Sequence, residues 1–260
     1  MSTNNVTKIN QLLRFHPSGT IMLSSWLVAK GYSLDLQKRY KKSKWLETIG
    51  NGALIRFGDE ISYEGAVYAL QQQLGLSVHP GGKTALSLLG KAHYLELAVA
   101  KAILFGQPKE PLPLWFHKHK WGLEIEYYHS SFLPPHIGMV DVELKSFSLK
   151  VSSPARALME CLYLAPAHQD LSECYELMES MNNLKPTLAQ QLLEQCNSVK
   201  VKRLFMYMAE KAGHDWVQYL DMQKIDIGKG KRSLVENGTY IAKYQITVPK
   251  ELESHGEQNI

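Results

Sequence analysis

A run of cationic and amide side chains between residues 37 and 44 has the residue types that most directly suggest a binding chemistry. It reads Gln37-Lys38-Arg39-Tyr40-Lys41-Lys42-Ser43-Lys44. Lysine and arginine bind phosphate oxygens without reading sequence, whereas arginine and glutamine form paired hydrogen bonds with guanine and adenine edges. The composition therefore predicts a ligand that offers both phosphates and base edges, which is duplex DNA.

The distribution of charge favours the same ligand. Residues 1–60 contain nine lysines and arginines against four acidic residues, an excess of five, whereas the whole chain of 260 residues has a formal net charge of +4. The excess positive charge therefore lies at one end of the chain. Such asymmetry is typical of a segment that binds a polyanion.

The sequence before the basic run predicts a helix and a short extended link. Apolar residues at helical spacing predict a first helix over residues 4–15. Pro17-Ser18-Gly19 is expected to end this helix, because proline and glycine interrupt regular structure. Ile21-Met22-Leu23 then forms a short apolar link.

Two further helices are predicted around a glycine turn. Ser24 or Ser25 is placed to cap a short helix from Trp26 to Lys30, and Gly31 ends it. Ser33 is placed to cap a third helix that runs to about Lys42 and carries the basic run. Two short helices joined by a turn that contains glycine form the helix-turn-helix arrangement.

A hairpin follows the basic helix. Two apolar, β-prone runs, Trp45–Ile49 and Ala53–Phe57, flank Gly50-Asn51-Gly52. Asn51 at its tip and Arg56 on its second strand are expected to touch the DNA backbone or the minor groove. Helix, helix, basic helix and hairpin form a winged helix-turn-helix. The candidate DNA-binding residues are Ser33, Gln37, Lys38, Arg39, Lys41, Lys42, Lys44, Asn51 and Arg56.

A segment further along the chain resembles the phosphate-binding loop of nucleotide-binding proteins but lacks one of its glycines. Ser62 is placed to cap a helix that runs to about Leu74. The later run Pro80-Gly81-Gly82-Lys83-Thr84 ends like a phosphate-binding loop, but the glycine required five positions before Gly82 is Ser77. We therefore expect a turn and a short helix from Lys83 to Leu89.

The rest of the chain predicts a larger, mixed α+β domain, and we place the domain division at residues 1–92 and 93–260. Apolar runs between proline and glycine turns predict strands over Leu97–Phe105, Leu112–Phe116, Leu123–Tyr128, Val140–Val151 and Gly238–Val248. Helices are predicted over 155–164, with Ser152 or Ser153 as cap and Pro154 in the first turn, and over about 171–181, 187–196 and 199–213. The polar tail after Pro249 is expected to fray.

No catalytic set, cofactor or metal site is predicted. A metal-dependent nuclease or nucleotidyltransferase would have His117, His119, Glu124 and Glu126 as its candidate residues. The histidine pair is more simply an exposed or internally bonded pair, and two carboxylates on one strand face are common. Cys161, Cys174 and Cys196 show no CxxC spacing, which favours a reduced cytoplasm. The sequence has no apolar run of transmembrane length and no secretion signal.

Two basic clusters stand out in the larger domain. One is Lys200-Val201-Lys202-Arg203, and the other is Gly228-Lys229-Gly230-Lys231-Arg232. They are candidates for binding an acidic protein surface or further DNA, and enhanced solubility is the alternative. Glycines in the second cluster would allow close approach of its backbone to a partner.

The chain resembles the AbiEi family of antitoxins from type IV toxin–antitoxin systems along nearly its whole length. The motifs that carry the resemblance are Ser24-Ser25-Trp26-Leu27, Gln37–Tyr40, Trp45–Ala53, Glu64–Gln71, His79–Leu86, Ser153-Pro154-Ala155-Arg156-Ala157 and Val199–Phe205. The resemblance implies a bacterial protein whose winged helix represses its own operon at inverted repeats. It also implies a C-terminal domain that counteracts a nucleotidyltransferase-like toxin, with or without a stable complex. Candidate antitoxin or partner residues are Arg156, Lys200, Lys202, Arg203, Lys229, Lys231 and Arg232.

One alternative remains open beside the enzyme. A plain winged-helix regulator would use its second domain to sense a ligand or to dimerise. A neighbouring gene for a nucleotidyltransferase, and rescue of growth by co-expression with it, would separate an antitoxin from such a regulator.

Overall fold

The computed structural model describes residues 7–90 and 101–254. The N-terminal elements, in chain order, are α1 (Lys8–Phe15), β1 (Met22–Leu23), α2 (Ser24–Ala29), α3 (Leu34–Lys42), β2 (Leu46–Gly50), β3 (Ala53–Arg56) and α4 (Tyr63–Gln73). These are the three helices and the hairpin of the predicted winged helix-turn-helix, which is confirmed. The three strands form an antiparallel sheet of order β1-β3-β2, so β2 is an edge strand.

A single apolar cluster holds these elements together. It contains Ile9, Leu12, Met22, Leu27, Tyr40, Leu46 and Leu54, with Leu13, Trp26, Tyr32 and Leu36 packed around it. Every helix from α1 to α3 and every strand contributes at least one member. Burial of each large apolar side chain stabilises the fold by roughly 1.5–3 kcal/mol, so the cluster fixes α3 relative to the hairpin.

The turn between α2 and α3 follows the predicted chemistry with one difference. Gly31 adopts a left-handed conformation with φ of 87°, and Tyr32 N–H donates to the Leu27 carbonyl at 2.9 Å. Ser33 caps α3, because its Oγ accepts from Leu36 N at 3.3 Å. The predicted serine cap of α2 is wrong: Leu23 occupies the cap position without a side-chain bond, and Ser24 is already helical.

The central elements, in chain order, are β4 (His79–Pro80), α5 (Gly82–Leu88), β5 (Lys101–Gly106), α6 (Leu114–Lys118), β6 (Glu124–His129), β7 (Met139–Glu143) and β8 (Ser148–Ser152). Strands β5 and β6 pair in parallel from Lys101↔Glu124 to Gly106↔His129. The predicted strand at Leu112–Phe116 is wrong, because Pro113 precedes a short helix whose Trp115 and Phe116 are both buried. An apolar run this short does not distinguish a strand from a buried helix.

Two other predicted strands differ in extent. The segment predicted from Val140 to Val151 consists of two paired strands, β7 and β8. The described part of the strand predicted over Leu97–Phe105 begins at Lys101, and its earlier residues lie outside the described residues.

The C-terminal elements are α7 (Pro154–Leu164), α8 (Leu171–Glu179), α9 (Pro186–Gln195), α10 (Val199–Lys211), 3₁₀ helices Asp215–Tyr219 and Met222–Lys224, β9 (Arg232–Ser233), β10 (Thr239–Ile241), β11 (Ile246–Val248) and α11 (Lys250–Ser254). The four predicted helices are present, and α7 begins with Ser153 as its cap and Pro154 in its first turn. The predicted strand over Gly238–Val248 is a hairpin instead, reversed at Gln245 with φ of 51°.

The chain beyond Pro249 does not fray at once, contrary to our expectation. It forms α11, in which Leu252 is fully buried and the Glu253 carboxylate accepts a hydrogen bond from the Tyr207 hydroxyl. Lys211 Nζ also donates to the Glu253 carbonyl at 2.9 Å. A single apolar anchor and these two bonds therefore hold the helix through residue 254.

The described residues divide into two compact units. The first contains the described parts of Met1–His79, Ala98–His129 and Asp141–Lys150, and the second contains those of Pro80–Leu97, Ser130–Val140 and Val151–Ile260. The predicted domain boundary near residue 92 lies outside the described residues and stays a prediction. The architecture is mixed α+β, as predicted. No helix in residues 7–90 and 101–254 has both the length and the apolar character needed to cross a membrane.

Candidate nucleic-acid interface

Helix α3 presents an apolar face to the core and a cationic face to solvent. Tyr40 is buried and Leu36 packs at the edge of the apolar cluster. The exposed polar residues of the other faces are Asp35, Lys38, Arg39, Lys41 and Lys42. This division follows from the helical period of 3.6 residues, which places positions 36 and 40 on one face.

The cations of α3 are largely unengaged within the part of the chain that the structure describes. Lys38 Nζ lies 3.5 Å from Asp35 Oδ1, and the two side chains are 74% and 89% exposed. An ion pair so exposed contributes roughly 0–1 kcal/mol to stability, so it is easily exchanged for another partner. No side-chain hydrogen bond or ion pair is found for Arg39, Lys41 or Lys42 among residues 7–90 and 101–254.

Gln37 is not on the cationic face, and the structure removes it from the base-reading residues expected from sequence. Its side chain is 3% exposed. Nε2 donates to the carbonyl oxygens of Tyr32 at 2.8 Å and Ser24 at 3.1 Å, and Oε1 accepts from Ser24 Oγ at 2.6 Å. The amide therefore closes the α2–α3 turn, where buried carbonyls need donors.

Arg56 is also committed to the interior rather than to the outer surface of the hairpin. Its Nη2 donates to the backbone carbonyls of Leu13 and His16, at the C-terminal end of α1. A helix C-terminus leaves carbonyls unpaired and carries a partial negative charge, so a guanidinium is favourable there. The expectation that Arg56 touches DNA is replaced by a role in joining β3 to α1.

The remaining predicted DNA-binding residues lie at the surface. Ser33 is exposed at the start of α3, and Asn51 is exposed at the hairpin tip beside Gly52, whose φ is 76°. Lys44 is in the left-handed region with φ of 54°, and its Nζ lies 5.7 Å from the centre of the Phe57 ring. These positions are compatible with a surface that extends from α3 to the hairpin.

Sequence reasoning overlooked Leu34 and Asp35, the first two residues of α3. Leu34 is 59% exposed although its neighbours in the helix bury their apolar groups. With 100° per residue, Leu34, Asp35 and Lys38 lie on the side of α3 away from Leu36 and Tyr40. The same projection applied to the sequence would have found them.

The carboxylates proposed for a metal-dependent enzyme are occupied by a lysine. Lys101 Nζ lies 2.7 Å from Glu126 Oε1 and 3.3 Å from Glu124 Oε2, and Tyr128 donates to Glu126 Oε2 at 2.9 Å. The hydrogen bonds that Lys101 donates to Glu126 and to Glu124 raise the pKa of Lys101. Within residues 7–90 and 101–254, no three His, Cys, Asp or Glu side chains are grouped closely enough to hold a metal ion.

A cavity of about 500 Å³ lies beside the histidine pair in the first unit. Phe116, Trp121 and Tyr127 supply its aromatic wall, and His119 and Lys120 lie at its polar side. The ring centres of Phe116 and Trp121 are 5.0 Å apart, and those of His119 and Trp121 are 4.4 Å apart. His117 lies within the short helix α6 and His119 follows its last residue, so the two histidines are not on a strand.

The glycine-rich run at residues 80–84 forms the expected turn and short helix. Gly81 precedes α5, the N–H of Gly82 donates to Glu160 Oε2 at 3.0 Å, and Lys83 Nζ lies 2.7 Å from Glu173 Oε1. Carboxylates of the protein itself thus take the positions that phosphate oxygens would take in a nucleotide-binding loop.

Arg156 is an interior residue, not the surface residue that we expected. It is 3% exposed and its Nε donates to Glu160 Oε1 at 2.9 Å, while Nη1 donates to the carbonyls of Pro134 and Ile137 at 2.6 Å. Glu160 is fully buried and accepts further bonds from Ser152. A buried charge needs such saturation, because desolvation without partners costs several kcal/mol.

In the first basic cluster, on α10, Lys202 and Arg203 are buried and Lys200 is half-buried, contrary to the prediction of a partner surface. Lys200 Nζ donates to the Tyr163 and Ala165 carbonyls, and burial lowers the pKa of Lys200. Lys202 is 5% exposed. Arg203 is fully buried and donates to three backbone carbonyls, those of Ile227 at 2.8 Å, Gly230 at 2.7 Å and Gln245 at 3.0 Å.

The second cluster is exposed, and its backbone accepts a hydrogen bond from the buried Arg203. Lys229, Lys231 and Arg232 are all exposed, and Lys231 Nζ lies 5.1 Å from the centre of the Tyr240 ring. The Gly230 carbonyl that Arg203 binds lies between these cations in the sequence. We call residues 228–232 the basic loop. It retains the exposure expected of a partner surface.

Comparison with known proteins gives matches along nearly the whole chain. A family model described as the N-terminal domain of AbiEi antitoxin transcriptional regulators matches residues 5–97. A second, described as transcriptional regulator, AbiEi antitoxin of type IV toxin–antitoxin systems, matches residues 99–249. A search of curated proteins found no match.

Among solved structures, the chain is similar to that of the RV2827C protein from Mycobacterium tuberculosis. The TM-score is 0.58 at 13% sequence identity, over 92% of this chain and 88% of that chain. The likeness shows a shared fold.

Proposed function

Because the chain belongs to the AbiEi family of antitoxin transcriptional regulators of type IV toxin–antitoxin systems, we propose that it represses its own operon and counteracts a toxin encoded beside it. Repression uses the winged helix, which binds inverted repeats in the promoter as two copies of α3 and its hairpin. The toxin is nucleotidyltransferase-like, and its neutralisation belongs to the second half of the chain.

The observation that carries the DNA-binding proposal is the exposed face of α3. Lys38, Arg39, Lys41 and Lys42 are held outward by a helix whose other face is fixed in the core. An α-helix fits the major groove, and cations on its flanks hold phosphates on the groove walls. Lys44 and Asn51 continue the contact towards the hairpin.

Base reading is assigned to the exposed residues near the start of α3, because the N-terminal part of a recognition helix contacts base edges. Leu34 offers an apolar contact for a thymine methyl group, and Asp35 accepts a hydrogen bond from a cytosine amino group. Lys38 and Arg39 suit guanine O6 and N7.

The test of DNA binding is an affinity measurement on a duplex of the chain's own promoter across a range of salt concentrations. The quadruple variant Lys38→Ala, Arg39→Ala, Lys41→Ala, Lys42→Ala should bind more weakly, and each lost phosphate contact should reduce the salt slope by about 0.9. A control that replaces four exposed lysines outside α3, the hairpin and the basic clusters, namely Lys109, Lys145, Lys185 and Lys250, should largely keep both quantities. Equal affinity and slope for wild type and the α3 variant would refute the assignment.

The test of antitoxin activity is growth rescue. The full chain is expressed with the nucleotidyltransferase-like protein encoded next to it, and growth is compared with expression of that neighbour alone. Rescue by the α3 variant, which cannot repress the promoter, would show that neutralisation does not depend on repression. Arrested growth with the full chain present at normal abundance would end the antitoxin proposal.

A second candidate function is a regulator that senses a small ligand, and the cavity beside Trp121 is the observation that favours it. Its volume of about 500 Å³ and its mixed aromatic and polar lining are typical of small-molecule sites. Trp121→Ala should then alter the induction of the promoter by cell extract without changing the affinity of the purified protein for DNA. Identical induction in wild type and variant would dismiss this candidate.

A further inference from the structure

The short helix α6 is packed directly on the hairpin of the winged helix. It contacts β2, the edge strand of the sheet. Gly50, the last residue of β2, lies so close to Trp115 that a Cβ added to it would be 2.7 Å from the Trp115 Cβ. Real Cβ atoms do not approach so closely, and therefore glycine at position 50 permits the contact. The helix is thus seated beside the hairpin tip.

The residues that follow this anchor are cationic and face solvent. Trp115 and Phe116 are 6% and 1% exposed, which fixes the inner side of α6. His117, Lys118 and Lys120 are exposed. No hydrogen bond or ion pair engages the amino groups of Lys118 or Lys120 in residues 7–90 and 101–254. Two unengaged cations therefore lie three and five residues after the side chain that contacts the hairpin.

The spacing along β2 connects these cations with those of α3. Helix α3 contacts β2 at its start, where Trp45 N–H donates to the Tyr40 carbonyl at 2.9 Å. From Leu46 to Gly50 the strand advances about 13 Å at roughly 3.3 Å per residue. The minor groove of B-DNA is about 6 Å wide. The strand is longer than the groove is wide, so cations at its two ends are far enough apart to reach phosphates on opposite sides of the groove.

We propose that His117-Lys118-His119-Lys120 is a second phosphate-contact site, which extends the DNA interface beyond the hairpin. The proposal rests on the proposed DNA binding and adds to it a surface outside the winged helix. Lys118 and Lys120 supply charge and the exposed His117 supplies a hydrogen bond. None of the three reads base edges, because they lie at the outer side of the hairpin.

A structural role must be separated from this one, because lysine near a helix C-terminus also interacts favourably with the helix dipole. Lys118 is the last residue of α6. The variant pair Lys118→Arg, Lys120→Arg keeps both charges, whereas Lys118→Ala, Lys120→Ala removes them. Thermal unfolding of both variants checks that α6 stays folded.

The experiment measures the affinity of full-length protein for its promoter duplex between about 50 and 200 mM salt. Loss of two phosphate contacts reduces the slope of log affinity against log salt by about 1.8. The ratio of wild-type affinity to that of the alanine variant should therefore fall about twelvefold across this range. The arginine variant should keep the wild-type slope. Sequence preference among operator variants should not change in either.

A matched control removes two lysines of the second unit, Lys185→Ala and Lys250→Ala, and should keep the wild-type slope. Wild-type binding with an unchanged slope in the α6 alanine variant would overturn this inference and leave the proposed function intact. Equal loss of slope in the control would also overturn it, because the effect would then be one of net charge. Failure of the wild type to bind its promoter would instead overturn the proposed function.

Discussion

At the scale of single residues, two neighbouring polar side chains of α3 lie in opposite environments. Gln37 and Lys38 are neighbours in a basic run, yet Gln37 is 3% exposed and the Lys38 side chain is 74% exposed. The sequence correctly predicted this helix and its cap, Ser33. It did not predict that Gln37 is buried, because the amide of Gln37 bonds to backbone carbonyls of a turn. The pattern of side chains does not predict the geometry of that turn.

Gln37→Ala is expected to lower stability rather than to relax base preference. It leaves the Tyr32 and Ser24 carbonyls without their donor, and an unsatisfied buried polar group costs about 1–3 kcal/mol. Urea unfolding measures the loss, with the exposed Lys38→Ala as control, which should stay within about 0.5 kcal/mol of wild type. Unchanged stability together with altered operator preference would return Gln37 to the base-reading residues.

Leu34 gives a prediction that concerns one methyl group. Replacement of thymine by uracil at the operator position that faces Leu34 should weaken wild-type binding about fourfold, because burial of a methyl group is worth about 0.8 kcal/mol. Leu34→Ala should bind both operators equally, and Leu74→Ala, at an exposed position outside α3, should behave as wild type. Equal binding of thymine and uracil operators by wild type at every position would contradict the assignment.

At the scale of elements, helices were predicted better than short apolar runs. The start of α7 was foreseen from Ser153 and Pro154, which have definite positional preferences at helix starts. The run at residues 112–116 was assigned to a strand, because five apolar residues fit both periods. These residues form a helix in which Trp115 packs against Gly50. That contact joins distant parts of the sequence, so the local pattern does not reveal it.

The Arg156–Glu160 pair inside α7 supports a prediction about stability. Glu160→Ala leaves the buried guanidinium without its counter-charge, and removal of one partner of such a pair costs about 3–5 kcal/mol. The double variant Arg156→Met, Glu160→Leu should be much less destabilised than the sum of its single changes. Additive losses in chemical denaturation would show that the two side chains act independently.

His16, which follows α1, predicts a pH dependence of stability. Burial is the main reason that its pKa falls from 6.5 to about 4, and its Nε2 lies 2.8 Å from Thr20 Oγ1. The folded state holds the ring neutral while the unfolded state binds a proton below pH 6.5. Stability is therefore complete above pH 6.5 and declines towards pH 4, by about 3 kcal/mol in total at 1.36 kcal/mol per unit.

Comparison of wild type with His16→Gln by urea unfolding between pH 4 and 7 measures this contribution. The difference between their stabilities should shrink as the pH falls, since glutamine does not titrate. Parallel stability curves for the two proteins would contradict a depressed pKa at His16. Thr20→Ser, which keeps the hydroxyl, serves as the control and should follow wild type.

At the scale of the whole molecule, the lysines and arginines of the winged helix lie in a different environment from those of the C-terminal helices. Lysines and arginines of the winged helix are mostly exposed, and four of them lie on α3. Those of α7 and α10 are buried or half-buried, and most of them bond to carbonyls or to Glu160. Counting charges does not distinguish the two environments, because a long cationic side chain can also lie in the protein interior and bond to its carbonyls.

The two proposed activities are therefore expected to separate genetically. Lys229→Ala, Lys231→Ala and Arg232→Ala in the basic loop should leave promoter repression near the wild-type level and reduce growth rescue from the toxin. The quadruple α3 variant should show the reverse. Loss of both activities together in either variant, at normal protein abundance, would contradict a division of labour along the chain.

The buried guanidinium of Arg203 has a consequence for any molecule that meets residues 228–232. Three carbonyl bonds from one immobile side chain leave the segment around them few alternative shapes. A segment that is already ordered gives up little conformational entropy when it docks, so more of each contact's energy appears as affinity. We therefore expect Arg203, though it touches no solvent, to affect how tightly its exposed neighbours bind a partner.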